Sequence, residues 1–168
     1  MTKTIESFHQ HDSMQCGIAS LQMVCKYFGR EYTLDSLSKL CFATTEGVSM
    51  LGINEAANTL GLHTACARIS IVMLNEAPLP CILHWNQNHF VVLYKIKKSK
   101  KFYVADPGKG LVAYTLDEFK QHWISTNSMV RTRALLCSWK PLLRSLLIRC
   151  KVKRKSKKRG LSAFSLGM

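Results

Sequence analysis

A cysteine, a histidine, an aspartate and a glutamine in this sequence are placed where attack on a carbonyl group would need them. Cys16 is followed by Gly17, Ile18 and Ala19, and from there apolar residues recur at helical spacing: Ile18, Leu21, Val24, Cys25 and Phe28, with Gly29 as a stop. The sulfur therefore belongs to the mouth of a predicted helix. Unpaired N–H groups and a partial positive charge there favour thiolate over thiol, and Gly17 would let a substrate backbone come close. His89 opens a run that is otherwise apolar, and an imidazole there can take the thiol proton and later give it to a leaving amine. His84, five residues earlier, competes for that role. Asp106 is read as lying across a hairpin from His89, where a carboxylate orients the ring and fixes its tautomer. Gln10, six residues before Cys16, can offer a side-chain amide to a developing oxyanion. Each residue has a plainer reading too: a core cysteine, an edge histidine, a turn aspartate in Asp-Pro-Gly, a polar loop glutamine.

The elements that must position them follow from caps and periodicity. After the Cys16 helix, Thr33 caps a second with Leu34, Leu37 and Leu40 on one face. A third starts near Ser49 and runs through Ile53, Ala56, Ala57 and Leu60 to Gly61. Residues 62–69 read as a strand, and Pro78 and Pro80 precede another at 81–85. Residues 89–96 and 102–105 form the arms of a hairpin about Lys97-Lys98-Ser99-Lys100, and 111–114 a further short strand. Thr115 with Glu118 is a capping box that opens a helix through Phe119 and His122 to Trp123. Helices first and an antiparallel sheet second make the fold class α+β. If the hairpin is right, the start of one arm meets the end of the other, and His89 meets Asp106.

Composition narrows the classes. Apolar residues form 47% of the 168-residue chain, enough for one domain with a real core. No run is long and apolar enough to suggest a membrane span, and the N-terminal residues contain no apolar signal segment, so a cytoplasmic origin is expected. The seven cysteines are odd in number and form no CxxC pair, which speaks against a disulfide framework or a structural zinc site. His9, His11, Asp12 and Cys16 could share a metal, but no second cluster matches them, so neither metal nor cofactor is expected. The formal charge is +14, divided unevenly: residues 1–127 carry 12 Lys/Arg against 10 Asp/Glu, and residues 128–168 carry 12 Lys/Arg and no carboxylate.

The run from Gln10 to Ala19 resembles the nucleophile motif of the bacteriocin-processing, double-glycine leader peptidases, papain-like domains normally found at the N-terminus of peptide-exporting ABC transporters. Other pieces agree in order: Gly47-Val48-Ser49 with Gly52, Ala57 with Leu60-Gly61-Leu62, Pro80 to Trp85, His89-Phe90-Val91-Val92-Leu93, and Val104-Ala105-Asp106-Pro107. The similarity runs from about residue 5 to residue 126. It implies Cys16 as nucleophile, His89 as general base, Asp106 as orienting acid, Gln10 as oxyanion donor, and cleavage of leader peptides after a Gly-Gly pair. It also implies a leader-bearing precursor peptide as partner, and an ABC exporter at the inner face of the cytoplasmic membrane as a second. The rival readings are a catalytically weak leader-binding module and another Cys-His-Asp amidase. One departure is Gln15, where the family often has an acidic residue.

The peptidase domain is accordingly read as residues 1–127, and 128–168 as a basic tail. For that tail a disordered solvated segment, a membrane-surface segment around Leu142 to Ile148, and an origin in a truncated or frameshifted gene stay open. A truncation would remove a terminal strand and expose a sheet edge. Nucleic-acid binding is disfavoured, because aromatic residues are scarce there.

Overall fold

Side chains that accept backbone hydrogen bonds set where the helices begin. Thr33 Oγ1 accepts from Ser36 N, Ser49 Oγ from Gly52 N and Ser70 Oγ from Met73 N, each meeting one of the N–H groups a helix leaves unpaired. The structure, a computed structural model, describes residues 5–6, 15–45, 47–86, 88–123 and 132–138, the last seven as backbone only. Its helices are α1 (Cys16–Tyr27), α2 (Leu34–Leu40), α3 (Met50–Thr59), the single turn α4 (Ile71–Leu74) and α5 (Leu116–Trp123). Its strands are β1 (His63–Ile69), β2 (Cys81–Trp85), β3 (His89–Lys97), β4 (Lys101–Asp106), β5 (Gly110–Thr115) and β6 (Thr132–Ser138).

All strand pairs are antiparallel, in the order β1-β6-β2-β3-β4-β5. The α+β class holds: three helices, then the sheet. Side-chain alternation splits the central strands between two cores. Ile82, Phe90, Val92 and Ala105 pack with α1, α2 and α3 on one face. Cys81, Leu83, Trp85, Val91, Leu93, Phe102 and Val104 pack with Leu74, Phe119 and Trp123 on the other. Strands covered on both faces read as unbroken apolar runs, which is how 89–93 reads in the sequence.

Two elements differ from expectation. The turn α4 is too short to carry a period, and only its Ser70 cap marks it. The second is β6. Residues 132–138 were read as part of the basic tail, yet they sit between β1 and β2, with Leu135 opposite both Cys66 and Ile82. The feared loss of a terminal strand is therefore corrected: the strand is present, and it closes the gap between β1 and β2 in place of an exposed edge. The rest of that tail, residues 128–131 and 139–168, lies outside the described residues, as do 124–127 before it.

Candidate active site

The first half of α1 is buried on every side. Residues 16–21 are all buried, so the helix runs through the core rather than along its surface. A helix this enclosed needs a small residue where it meets the sheet and a partner for any polar group it carries. Gly17 meets the first need. A Cβ there would lie 2.3 Å from Val48 Cγ2, 2.9 Å from Ile53 Cδ1 and 3.1 Å from Phe90 Cδ2. The glycine thus lets α1 press against β3 and the loop before α3; its neighbours are core side chains, which corrects the expectation that it clears space for substrate. Ser20 meets the second need by donating from Oγ to the Phe90 carbonyl at 3.2 Å.

This packing brings the first residue of α1 to the first residue of β3. Cys16 is 5% exposed and lies close enough to the half-buried ring of His89 to help raise that ring's pKa. The other side of the ring meets Asp106: His89 Nε2 and Asp106 Oδ1 are 2.8 Å apart. With Nε2 so engaged, Nδ1 is the nitrogen left for the sulfur. Asp106 is 2% exposed, and its Oδ1 also accepts from Gly108 N at 2.8 Å. One carboxylate oxygen therefore makes the turn and holds the ring, so the two readings of Asp106 coincide. His84 sits instead on β2 opposite Phe90, edge-on to its ring with centroids 5.3 Å apart.

The charges agree with this arrangement. Burial works against a charged His89, but the ring's hydrogen bonds with Asp106 and Cys16 and the charges on both outweigh it and raise its pKa from 6.5 to about 9. Burial likewise works against ionised Asp106, and His89 with the Gly108 N–H holds its carboxyl below the ordinary value. At neutral pH the pair is imidazolium and carboxylate. A protonated ring at a helix mouth is the setting that favours a thiolate. Burial pushes the Cys25 thiol up to about 12 and Cys41 up to about 11, and raises Cys81 too, so these stay protonated in the core. Cys66, on β1, is exposed.

The turn between β2 and β3 is held from the far side, a feature that the sequence reading missed. His122 of α5 stacks on Trp85 at 5.3 Å, its Nδ1 lies 3.0 Å from Asn86 Oδ1, and its carbonyl accepts from Asn86 N. Asn86 has φ 45°, a left-handed conformation that asparagine tolerates better than most. The signal available was the Trp-Asn pair ahead of His89. Gln10, His9, His11 and Asp12 lie outside the described residues, so neither the oxyanion role nor the metal reading meets the geometry. Among the described residues no cluster of three metal-ligating side chains forms, and no helix is long and apolar enough to cross a membrane.

Helices laid on an antiparallel sheet, with cysteine, histidine and aspartate gathered at one end, make this a papain-like cysteine peptidase domain. The chain belongs to the Peptidase C39 family, whose profile matches residues 4–134. It is 31% identical over 121 residues to the colicin V secretion/processing ATP-binding protein CvaB of Escherichia coli, covering 72% of this chain and 17% of that protein. It is 32% identical over 121 residues to the lactococcin-G-processing and transport ATP-binding protein LagD of Lactococcus lactis, covering 68% and 17%. Among solved structures, a double glycine motif protease from an AMS/PCAT transporter, in complex with the leader peptide, superposes with TM-score 0.73 at 31% identity, covering 81% of this chain and 92% of that one. The chain spans about a fifth of the length of the curated relatives it matches.

Proposed function

We propose that this chain cleaves leader peptides after a Gly-Gly pair, with Cys16 as nucleophile, His89 as acid and base, Asp106 as the group that orients the ring, and Gln10 as an oxyanion donor. The observation that carries the reading is the Cys16–His89–Asp106 relay, with its 2.8 Å His89–Asp106 bond, at the mouth of α1. The Cys16 thiolate attacks the carbonyl of the second glycine, and negative charge collects on its oxygen. Protonated His89 gives its proton to the amine as the peptide bond breaks, leaving a thioester on Cys16. Neutral His89 then takes a proton from water, whose oxygen attacks the thioester and frees the leader. The relatives' names, which speak of processing, transport and a double glycine motif, support the substrate class. Those names also support a site of action beside an exporter, which this reading sets at the inner face of the cytoplasmic membrane. In this reading the peptidase unit extends through β6, and the basic sequence beyond it is an appended segment.

Incubation with a leader peptide ending in Gly-Gly, and with the same peptide ending in Ala-Ala, tests the specificity. Cleavage of the first alone is expected. Equal cleavage of both would point to a broader Cys-His-Asp amidase, and binding without turnover to a leader-binding module.

A further inference from the structure

Two polar or charged side chains are buried among the described residues, and both converge on the end of β3 that carries His89. They are Asp106, 2% exposed, and Ser20, 0% exposed. Asp106 holds the imidazole itself. Ser20 holds the backbone one residue further along the strand, where its Oγ donates to the Phe90 carbonyl at 3.2 Å.

The helix alone does not explain a serine there. Alanine favours a helix more and carries no hydroxyl to strip of water. A serine inside a helix commonly turns its hydroxyl back to the carbonyl four residues earlier, which here is that of Cys16. The bond that forms instead crosses to a strand 70 residues away in sequence.

The place of Ser20 along α1 is a second observation. It follows Cys16 by four residues, so the two share one face of the helix a single turn apart. His89 and Phe90 are the first two residues of β3. The elements thus meet at successive points: Cys16 beside His89, then Ser20 on the Phe90 carbonyl. Gly17 adds a contact with the same residue, since a Cβ there would lie 3.1 Å from Phe90 Cδ2. Apolar contact presses α1 onto β3 without choosing where along its axis, because it is non-directional. A hydrogen bond does choose.

We propose, on the reading of Cys16 as nucleophile and His89 as its base, that Ser20 is a positioning residue: its bond to the Phe90 carbonyl sets the spacing between the Cys16 sulfur and the His89 ring. The two buried polar side chains then divide the work. Asp106 fixes the ring to β4 and its turn, and Ser20 fixes the nucleophile's helix to the strand that carries the ring. Proton transfer between sulfur and nitrogen needs hydrogen-bond reach, so a small slip of α1 costs rate while the fold survives.

Ser20→Ala in the full chain tests this, because it removes the hydroxyl and leaves a small side chain. Labelling of Cys16 by iodoacetamide at about pH 6 should slow by about tenfold or more. At about pH 10, above the ordinary thiol value, the thiol ionises without help, and labelling should stay within about twofold of the unaltered protein. With a Gly-Gly leader, kcat should fall and KM stay constant. Ser20→Cys, whose thiol is a weaker donor, should lie between the two, and it reads the same pair of rates if Ser20→Ala does not fold. Leu37→Val, on α2 in the same core, should lower the melting temperature with labelling at both pH values unchanged. Ser20→Ala labelled at pH 6 as fast as the unaltered protein would overturn the proposal. Equal slowing at both pH values would do so too, since it marks a general loss of structure. Cys16 labelled no faster than Cys66 in the unaltered protein would remove the Cys16–His89 pair itself, and the proposal with it.

Discussion

The β3–β4 hairpin has two ends built from the same two strands under opposite rules. At one, His89 and Asp106 are drawn into the core beside Cys16, each charge answered by a neighbour, and both pKa values move so that the ion pair persists. At the other, five lysines stand in solvent with no carboxylate partner among the described residues. The buried end ties its charges to one geometry, as positioning a reacting group requires. The exposed end leaves its charges mobile on long stems, as a diffuse contact allows. The lesson is that burial, more than residue type, separates charges that can direct chemistry from charges that can only attract.

Changes at the buried end should have the largest effects. His89→Ala removes both the proton acceptor and the donor, and cleavage of a Gly-Gly leader should fall by about 10²–10⁴-fold in kcat with the fold intact by circular dichroism. Asp106→Asn can keep the Gly108 N–H bond but lacks the charge that helps hold the ring protonated. The alkaline limb of kcat/KM, expected near pH 9 in the unaltered protein, should then move down toward the ordinary histidine range. Stability should follow the same groups. His89 gains affinity for its proton on folding, so its contribution is complete below about pH 6.5 and is lost as pH rises through about 9. Asp106 is shifted down, so its contribution is present above its ordinary carboxyl value and is lost as pH falls through its lower folded value. Melting temperature against pH should therefore decline on both sides of a mildly acidic plateau that ends near pH 6.5.

Also at the buried end, where α1 meets β3, Gly17→Ala should cost about 1–3 kcal/mol by overpacking, read as a lower urea midpoint. At the exposed end the smallest effect is expected. Ser99→Gly relieves a left-handed conformation at φ 52° and should raise stability by less than about 1 kcal/mol, with cleavage unchanged. A large effect there would break the comparison, because it would couple the tip to the site.

How much of this was legible depended on whether the signal was local. Caps at Thr33, Ser49 and Thr115 and the Lys-rich turn marked the elements correctly, and the hairpin alone placed His89 against Asp106. Strand β6 was not legible, because its partners are β1 and β2, many residues away, and the arginines at 131 and 133 made it look like the start of the tail. The role of Gly17 was misread since only three-dimensional packing puts Val48, Ile53 and Phe90 around it. The clamp of His122 on Asn86 was missed for the same reason. Net charge hid the basic tip by averaging it against carboxylates placed elsewhere.

Activation of Cys16 by His89 is tested without a substrate by pulse alkylation with iodoacetamide at about pH 6, read by mass spectrometry. Accessibility alone favours Cys66, which is exposed, over Cys16, which is 5% exposed. Cys16 should be modified before Cys66, and His89→Ala should abolish this preference. Cys66 reacting first, or Cys16 reacting equally fast in the His89→Ala protein, would contradict it.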